Sequence, residues 1–393
     1  MPKRPLRPAM ANGPAMAADL IVFGEDWGGH PSSTQHLIGH LARTHKIVWV
    51  NSIGLRRPRL GDIRRVAQKL AALAGTPDAV GAPAADAPGV APGFRVVAPR
   101  AVPWPGNPLA EAANARLLGG QLRAVMAEEN IVRPILWTSL PSALPVVGTL
   151  GERAVVYYCG DDFGALSGVD HAPVLDMERR LVEKADLVIA ASPALAERFP
   201  REKTVLVPHG VDARVFSSPA PPAADLPEGK VAGFYGSVSD WLDVPMLARA
   251  AQALFDWTFV FIGPVRTDVS ALTRLENVRF LGPRPHAALP AYVQHWTVSL
   301  IPFRDTPQIR ACNPLKLREY LASGTPVAAT RFPALEPYAH LVSAIEPGGD
   351  LAGAIEAAAN QAGGALARLR QLAVAQEGWD RRAEAVETAL GRF

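Results

Sequence analysis

Short, near-continuous apolar runs recur along this chain, and longer stretches of helical character separate them. The first series is Asp19–Gly24, Lys46–Asn51, Phe94–Ala98, Pro134–Thr138, Ala154–Tyr158 and Asp186–Ala190, with helices expected at Ser33–Thr44, Leu109–Glu129 and Val174–Lys184. A strand that is apolar on both faces is a strand covered on both faces. The β–α alternation therefore predicts a parallel sheet with helices packed on each side. A second series follows at Val231–Tyr235, Thr258–Gly263, Val278–Gly282, Val298–Pro302 and Pro326–Thr330. Between the two lies VPHGVDARVFSSPAPPAADLPEGK, rich in Pro and Ala, which reads as a linker. The chain is thus expected to fold as two doubly wound α/β domains across a crevice, where open α/β sheets collect ligands at the carboxyl ends of their strands.

Composition narrows the function classes. Hydrophobic residues make up 49% of the 393 positions and charged residues 20%, which excludes wholesale disorder. Lys and Arg number 40 against 37 Asp and Glu; a net charge of +3 does not suggest a nucleic-acid partner. The only cysteines, Cys159 and Cys312, exclude a disulfide scaffold and a Cys-rich zinc site and fit a reducing compartment. No apolar run approaches the ~18 residues of a membrane span. Residues 1–18 read as a flexible tail, so a cytoplasmic protein is expected. Residues 75–93 are low-complexity Ala, Pro and Gly, expected as a mobile loop. Before them Arg57, Arg59, Arg64, Arg65 and Lys69 form a basic stretch, suited to an anionic surface at the inner face of the membrane or to a solvated helix face.

The most informative window is RACNPLKLREYLASG, residues 310–324. Asn313 suits an N-cap, Pro314 the first helical position and Gly324 the residue past the end. A helix N-terminus presents unpaired N–H groups and a partial positive charge, so Lys316 and Arg310 beside it would hold a diphosphate. Glu319, one turn deeper, would accept two ribose hydroxyls. A second window is YYCGDDF, where Asp161 or Asp162 follows a strand end and has the chemistry of a general base. The Gly-rich turn with Gly28, Gly29 and His30 would shape a pocket, with His209 as a hinge or pocket wall. No Asp-x-Asp, P-loop, HExxH or GxSxG pattern occurs, and neither a metal site nor a cofactor is expected.

The run NPLKLREYLASGTPVAAT resembles the nucleotide-sugar helix of GT-B glycosyltransferases, particularly the glycosyltransferase family 4-like enzymes. ERRLVEKADLVIAASPALAERF, GFYGSVSDWLDVPMLARAA and EGWDRRAEAVETAL resemble further segments of that superfamily in the same order, and WGGHPSSTQHLIGHLARTHKIVWVN resembles its polysaccharide-assembly members. The resemblance implies two Rossmann-like domains: an acceptor-side domain over 19–207, a linker over 208–230, a donor domain over 231–375, and a helix over 376–393 that crosses back. It implies a nucleoside-diphosphate sugar as donor, held by Arg310, Asn313, Lys316, Leu317, Glu319, Gly236 and Ser237. The acceptor would be a glycan or lipid-linked glycan. The sequence departs from the family pattern where Ala311 stands in place of the first of two glutamates, and where Gly236–Asp240 lacks the usual Arg and Lys. Inverting and retaining transfer both stay open, as do a nucleotide-sugar isomerase of the 2-epimerase type and a non-catalytic nucleotide-sugar-binding protein.

Overall fold

The computed structural model describes residues 18–29, 32–57, 93–166 and 168–393. Residues 1–17 of the expected tail, most of the 75–93 loop, His30, and Arg59, Arg64, Arg65 and Lys69 lie outside the described residues. Among the described residues, thirteen strands form two all-parallel sheets. The first holds β1 (Leu20–Phe23), β2 (Ile47–Val50), β3 (Phe94–Val97), β4 (Ile135–Thr138), β5 (Ala154–Cys159), β6 (Leu187–Ala190) and β7 (Thr204–Leu206), in the order β3-β2-β1-β4-β5-β6-β7. The second holds β8 (Lys230–Tyr235), β9 (Trp257–Ile262), β10 (Val278–Gly282), β11 (Val298–Ile301), β12 (Val327–Thr330) and β13 (Ser343–Ile345), in the order β10-β9-β8-β11-β12-β13.

The strand order reverses between β1 and β4 in one sheet and between β8 and β11 in the other. These are the switch points, where neighbouring loops leave in opposite directions and open a crevice. Every residue of β1, β2, β4, β5 and β6 is buried, as the continuous apolar runs require. The expected strands all form. The sequence reading missed β7 and β13, three-residue edge strands whose side chains are only partly covered.

Each sheet has its own core, and the C-terminal helix, Trp379–Leu390, belongs to the first: Trp379, Val386, Ala389 and Leu390 pack there. Glu387 on that helix meets His45 at 2.9 Å. Glu377, just before it, accepts from Arg318 at 2.6 Å, from Arg382 at 3.2 Å and from Tyr338, tying the returning chain to the second domain. The 208–230 stretch contains a short helix, Ala213–Ser217, whose Phe216 is buried in the second core.

Candidate active site

The Leu315–Ser323 helix starts one residue later than expected, with Pro314 before it and Gly324 ending it in the left-handed conformation. Asn313 is not its cap. The Asn313 amide donates across the cleft to the Ala191 carbonyl at 2.8 Å, and its oxygen accepts from Arg318 at 2.6 Å. Beside it, the Ser192 hydroxyl donates to the Ala311 carbonyl at 2.7 Å. These two bonds fix the helix start against the end of β6. Tertiary partners have outbid the local cap.

Lys316 then falls at the switch point of the second sheet. Its ammonium lies 5.3 Å over the Phe234 ring and 5.5 Å over Phe303, residues near the end of β8 and just past β11. Among the described residues it has no ion-pair partner, and burial pushes its pKa below the usual lysine value. Gly236 sits directly against it: a Cβ there would stand 3.1 Å from Lys316 Cε. Gly236 has φ +122°, and Gly263 has φ +136° with room for no Cβ, which would meet the Gly236 carbonyl at 2.1 Å. The two strand ends need backbone without side chains here, so the Gly236 backbone lies directly against an unpaired cation.

Glu319 is buried next to this cation. It accepts from the Tyr235 hydroxyl and pairs with His286 Nε2 at 2.7 Å. Burial opposes its charge, but His286 and Tyr235 outweigh that and hold its pKa below the ordinary carboxylate value. His286 shifts the other way; burial lowers it, and the Glu319 contact more than restores it. His36 of the first domain stacks on Trp379 at 4.8 Å and lies 6.1 Å from His286, with its pKa lowered to about 4 by burial and His286. The sequence reading missed Tyr235, His286, His36 and Trp379. No local signal marks them, because they come from four separated segments.

The first domain contributes a cavity of about 450 Å³ in the crevice. Glu25 and Ser139, which follow β1 and β4, mark the switch point of the first sheet; Asn313, Pro314 and Leu315 close it from the second domain. Asp161 opens onto this cavity with part of its surface exposed to solvent, while desolvation by the protein around it, together with Glu25 and Asp162, raises its pKa above the ordinary value. The two expected aspartates part company. Asp162 bonds to Arg198 at 2.9 Å and caps the Gly164 N–H at 3.0 Å, and it does not line the cavity. His209 forms part of the wall; its Nδ1 meets the Asn313 carbonyl at 2.7 Å, and burial and Arg318 lower its pKa to about 4.

Other expected residues lie elsewhere. Arg310 is exposed and forms a two-point pair with Asp305 at 2.7 Å, so its guanidinium is already neutralised in solvent. The Leu317 side chain is fully buried in the second core. Ser237 bonds to Ser239 at 2.8 Å, and neither Gly28 nor Gly29 lines the cavity. Ala311 is buried and packs with the first-domain core, leaving no carboxylate at that position.

Residues 229–361 match the family described as glycosyl transferases group 1. TuaH of Bacillus subtilis (strain 168), assigned as a teichuronic acid biosynthesis glycosyltransferase, is 33% identical over 241 residues. That match takes in 54% of this chain and 60% of TuaH. Among solved structures, Anabaena Alr3699/HepE in complex with UDP and glucose superposes with a TM-score of 0.66 at 16% identity, over 96% of this chain and 100% of that one. Sucrose-phosphate synthase from Thermosynechococcus elongatus also gives 0.66, at 18% identity over 95% and 98%. This chain has the two-domain GT-B fold. The structural neighbours share the fold, and the group 1 match falls on the domain that carries Lys316 and Glu319. Among the described residues no helix is long and apolar enough to cross a membrane, and no three His, Cys, Asp or Glu side chains converge as a metal site.

Proposed function

We propose that this protein transfers a sugar from a nucleoside-diphosphate sugar to a hydroxyl of a glycan or lipid-linked glycan during polysaccharide assembly, without a metal ion. The observation that carries the reading is Lys316: a largely buried cation without an ion-pair partner among the described residues, at a sheet switch point, against the side-chain-free backbone of Gly236. A buried charge without a partner is costly, and an anionic ligand repays that cost. The diphosphate fits there, with the free N–H groups at the start of the Leu315–Ser323 helix adding partial positive charge. Glu319 takes the ribose hydroxyls once His286 and Tyr235 give way. The solved neighbour HepE holds UDP and glucose, which makes UDP the first nucleotide to try.

In the transition state the bond from the sugar's anomeric carbon to the diphosphate oxygen breaks, and negative charge grows on the leaving group next to Lys316. Asp161, with its raised proton affinity, takes the acceptor hydroxyl proton. Ala311 offers no carboxylate near the sugar, so inversion with Asp161 as base is the simpler course. The basic stretch through Arg57, which lies 5.7 Å over the exposed Trp104 ring, would rest on the inner face of an anionic membrane.

The test is turnover of UDP-sugars with and without glycan acceptors, for wild type and Glu319→Ala. Acceptor-dependent UDP release that Glu319→Ala abolishes, with UDP binding lost in parallel, is the expected result. Conversion of the sugar nucleotide without acceptor would indicate an isomerase, and binding without any turnover a sensor. Unchanged UDP affinity in Glu319→Ala would remove the donor-site assignment.

A further inference from the structure

We infer that the first-domain cavity selects a neutral, hydroxyl-rich sugar as the acceptor residue and rejects a uronate or a phosphate there; this rests on the glycosyltransferase reading above. Among the described residues, the lining carries two carboxylates, Glu25 and Asp161, and neither Lys nor Arg. Its other titratable groups, Tyr158, His209 and Cys312, are held uncharged at neutral pH, with the Tyr158 hydroxyl raised by burial and the Cys312 thiol pushed up to about 12 by burial. The cavity therefore has negative character, and the cation nearby, Lys316, is committed to the donor.

Hydrogen-bonding capacity points the same way. Carboxylates only accept, so the ligand has to donate. Ser32 and Gln35 donate to one oxygen of Glu25, Oε1. Nε2 of His209 is buried in the cavity wall without a hydrogen-bond partner among the described residues. His209 is neutral, and its Nδ1 faces a carbonyl and so carries the proton, which leaves Nε2 as a bare acceptor. Buried orphan groups cost free energy until something pairs with them. A ring of hydroxyls supplies donors for the carboxylates and can also serve the walls. The carboxylate of a uronate, like a phosphate, supplies only acceptors where the neutral sugar has a hydroxyl, and it meets Asp161 and Glu25 as a like charge.

The experiment measures binding of methyl glucoside, methyl galactoside and methyl mannoside, each against its C6-oxidised uronate. Saturation-transfer NMR reads it on the full chain with UDP present, and UDP binding is followed in the same samples. At least one neutral glycoside is expected to bind, with its uronate weaker by about tenfold or more, the cost of a like-charge contact in a partly solvated site. Glu25→Gln and Asp161→Asn should each narrow that ratio. A uronate that binds as well as its neutral partner overturns the inference, and so does binding by none of the six. Loss of UDP binding would instead strike the donor-site reading, so the two failures are distinct.

Discussion

Replacing Lys316 by Met should move donor affinity and fold stability in different directions. Opposite unit charges about 4 Å apart attract by about 4 kcal/mol at the effective dielectric of ~20 that suits such sites. Each 1.4 kcal/mol is about tenfold in a dissociation constant, so the full term is about a thousandfold and a partly solvated one about a hundredfold. UDP affinity in Lys316→Met should fall within that range. In the free protein the same lysine is a buried cation over two rings; Glu319 nearby favours its charge but makes no ion pair with it, and burial outweighs that help. Its contact with Phe234 and Phe303 returns about 0.5–2 kcal/mol, which only offsets part of the burial cost. Met fills similar space without charge, so the melting temperature should hold or rise.

The sign with pH follows. The lysine pKa is lower in the folded chain than its usual 10.5, so the unfolded chain binds more protons between those two values. Wild-type stability therefore rises with pH across that window, and any advantage of Lys316→Met shrinks toward pH 10.5. Calorimetric UDP titration and melting scans across the alkaline range read both quantities. UDP affinity within about threefold of wild type would refute the diphosphate assignment, since it is far short of the ~4 kcal/mol contact. A melting temperature lowered by several degrees would refute the claim that the cation is unpaired.

The other predictions concern separate links in the same site. Asp161→Asn should cut kcat by about 10²–10⁴, the usual worth of a general base. Asp162→Asn should keep turnover and lose about 1 kcal/mol of stability or less through Arg198; equal turnover losses in the two variants would defeat the assignment. For His286→Asn the melting-temperature deficit should be greatest between pH 4.5 and 6.5. The Glu319 contribution is full above 4.5 and lost as pH falls through its lowered pKa, whereas that of His286 is full below 6.5 and lost as pH rises through its raised one. A deficit that is flat across pH 3–9 would deny the ion pair. Gly236→Ala combines φ +122° with a Cβ 3.1 Å from Lys316, so a stability loss of about 1–3 kcal/mol should accompany weaker UDP binding. Wild-type melting and binding would show that the strand end tolerates a side chain.

The two sheets were legible because a strand covered on both faces must be apolar throughout, and that pattern survives without knowledge of any neighbour. Edge strands such as Ser343–Ile345 carry no such requirement and leave no such mark. The helix at 315–323 was legible from its Pro and Gly, but the role of Asn313 was not. Its side chain chose between a local N–H and a carbonyl of the other domain, and only the fold brings Ala191 within 2.8 Å. The same reasoning separates Asp161 from Asp162. Adjacent in sequence and alike in chemistry, they point to different partners, because Arg198 reaches one and the cavity the other. Glu319 could be singled out from its helix, but what holds it ready could not. Tyr235 ends a strand, His286 opens a short 3₁₀ turn about fifty residues on, and both meet the carboxylate only when the second sheet has closed. A charge kept buried by partners that a ligand's hydroxyls can replace is a site poised for exchange, and that property belongs to the contacts.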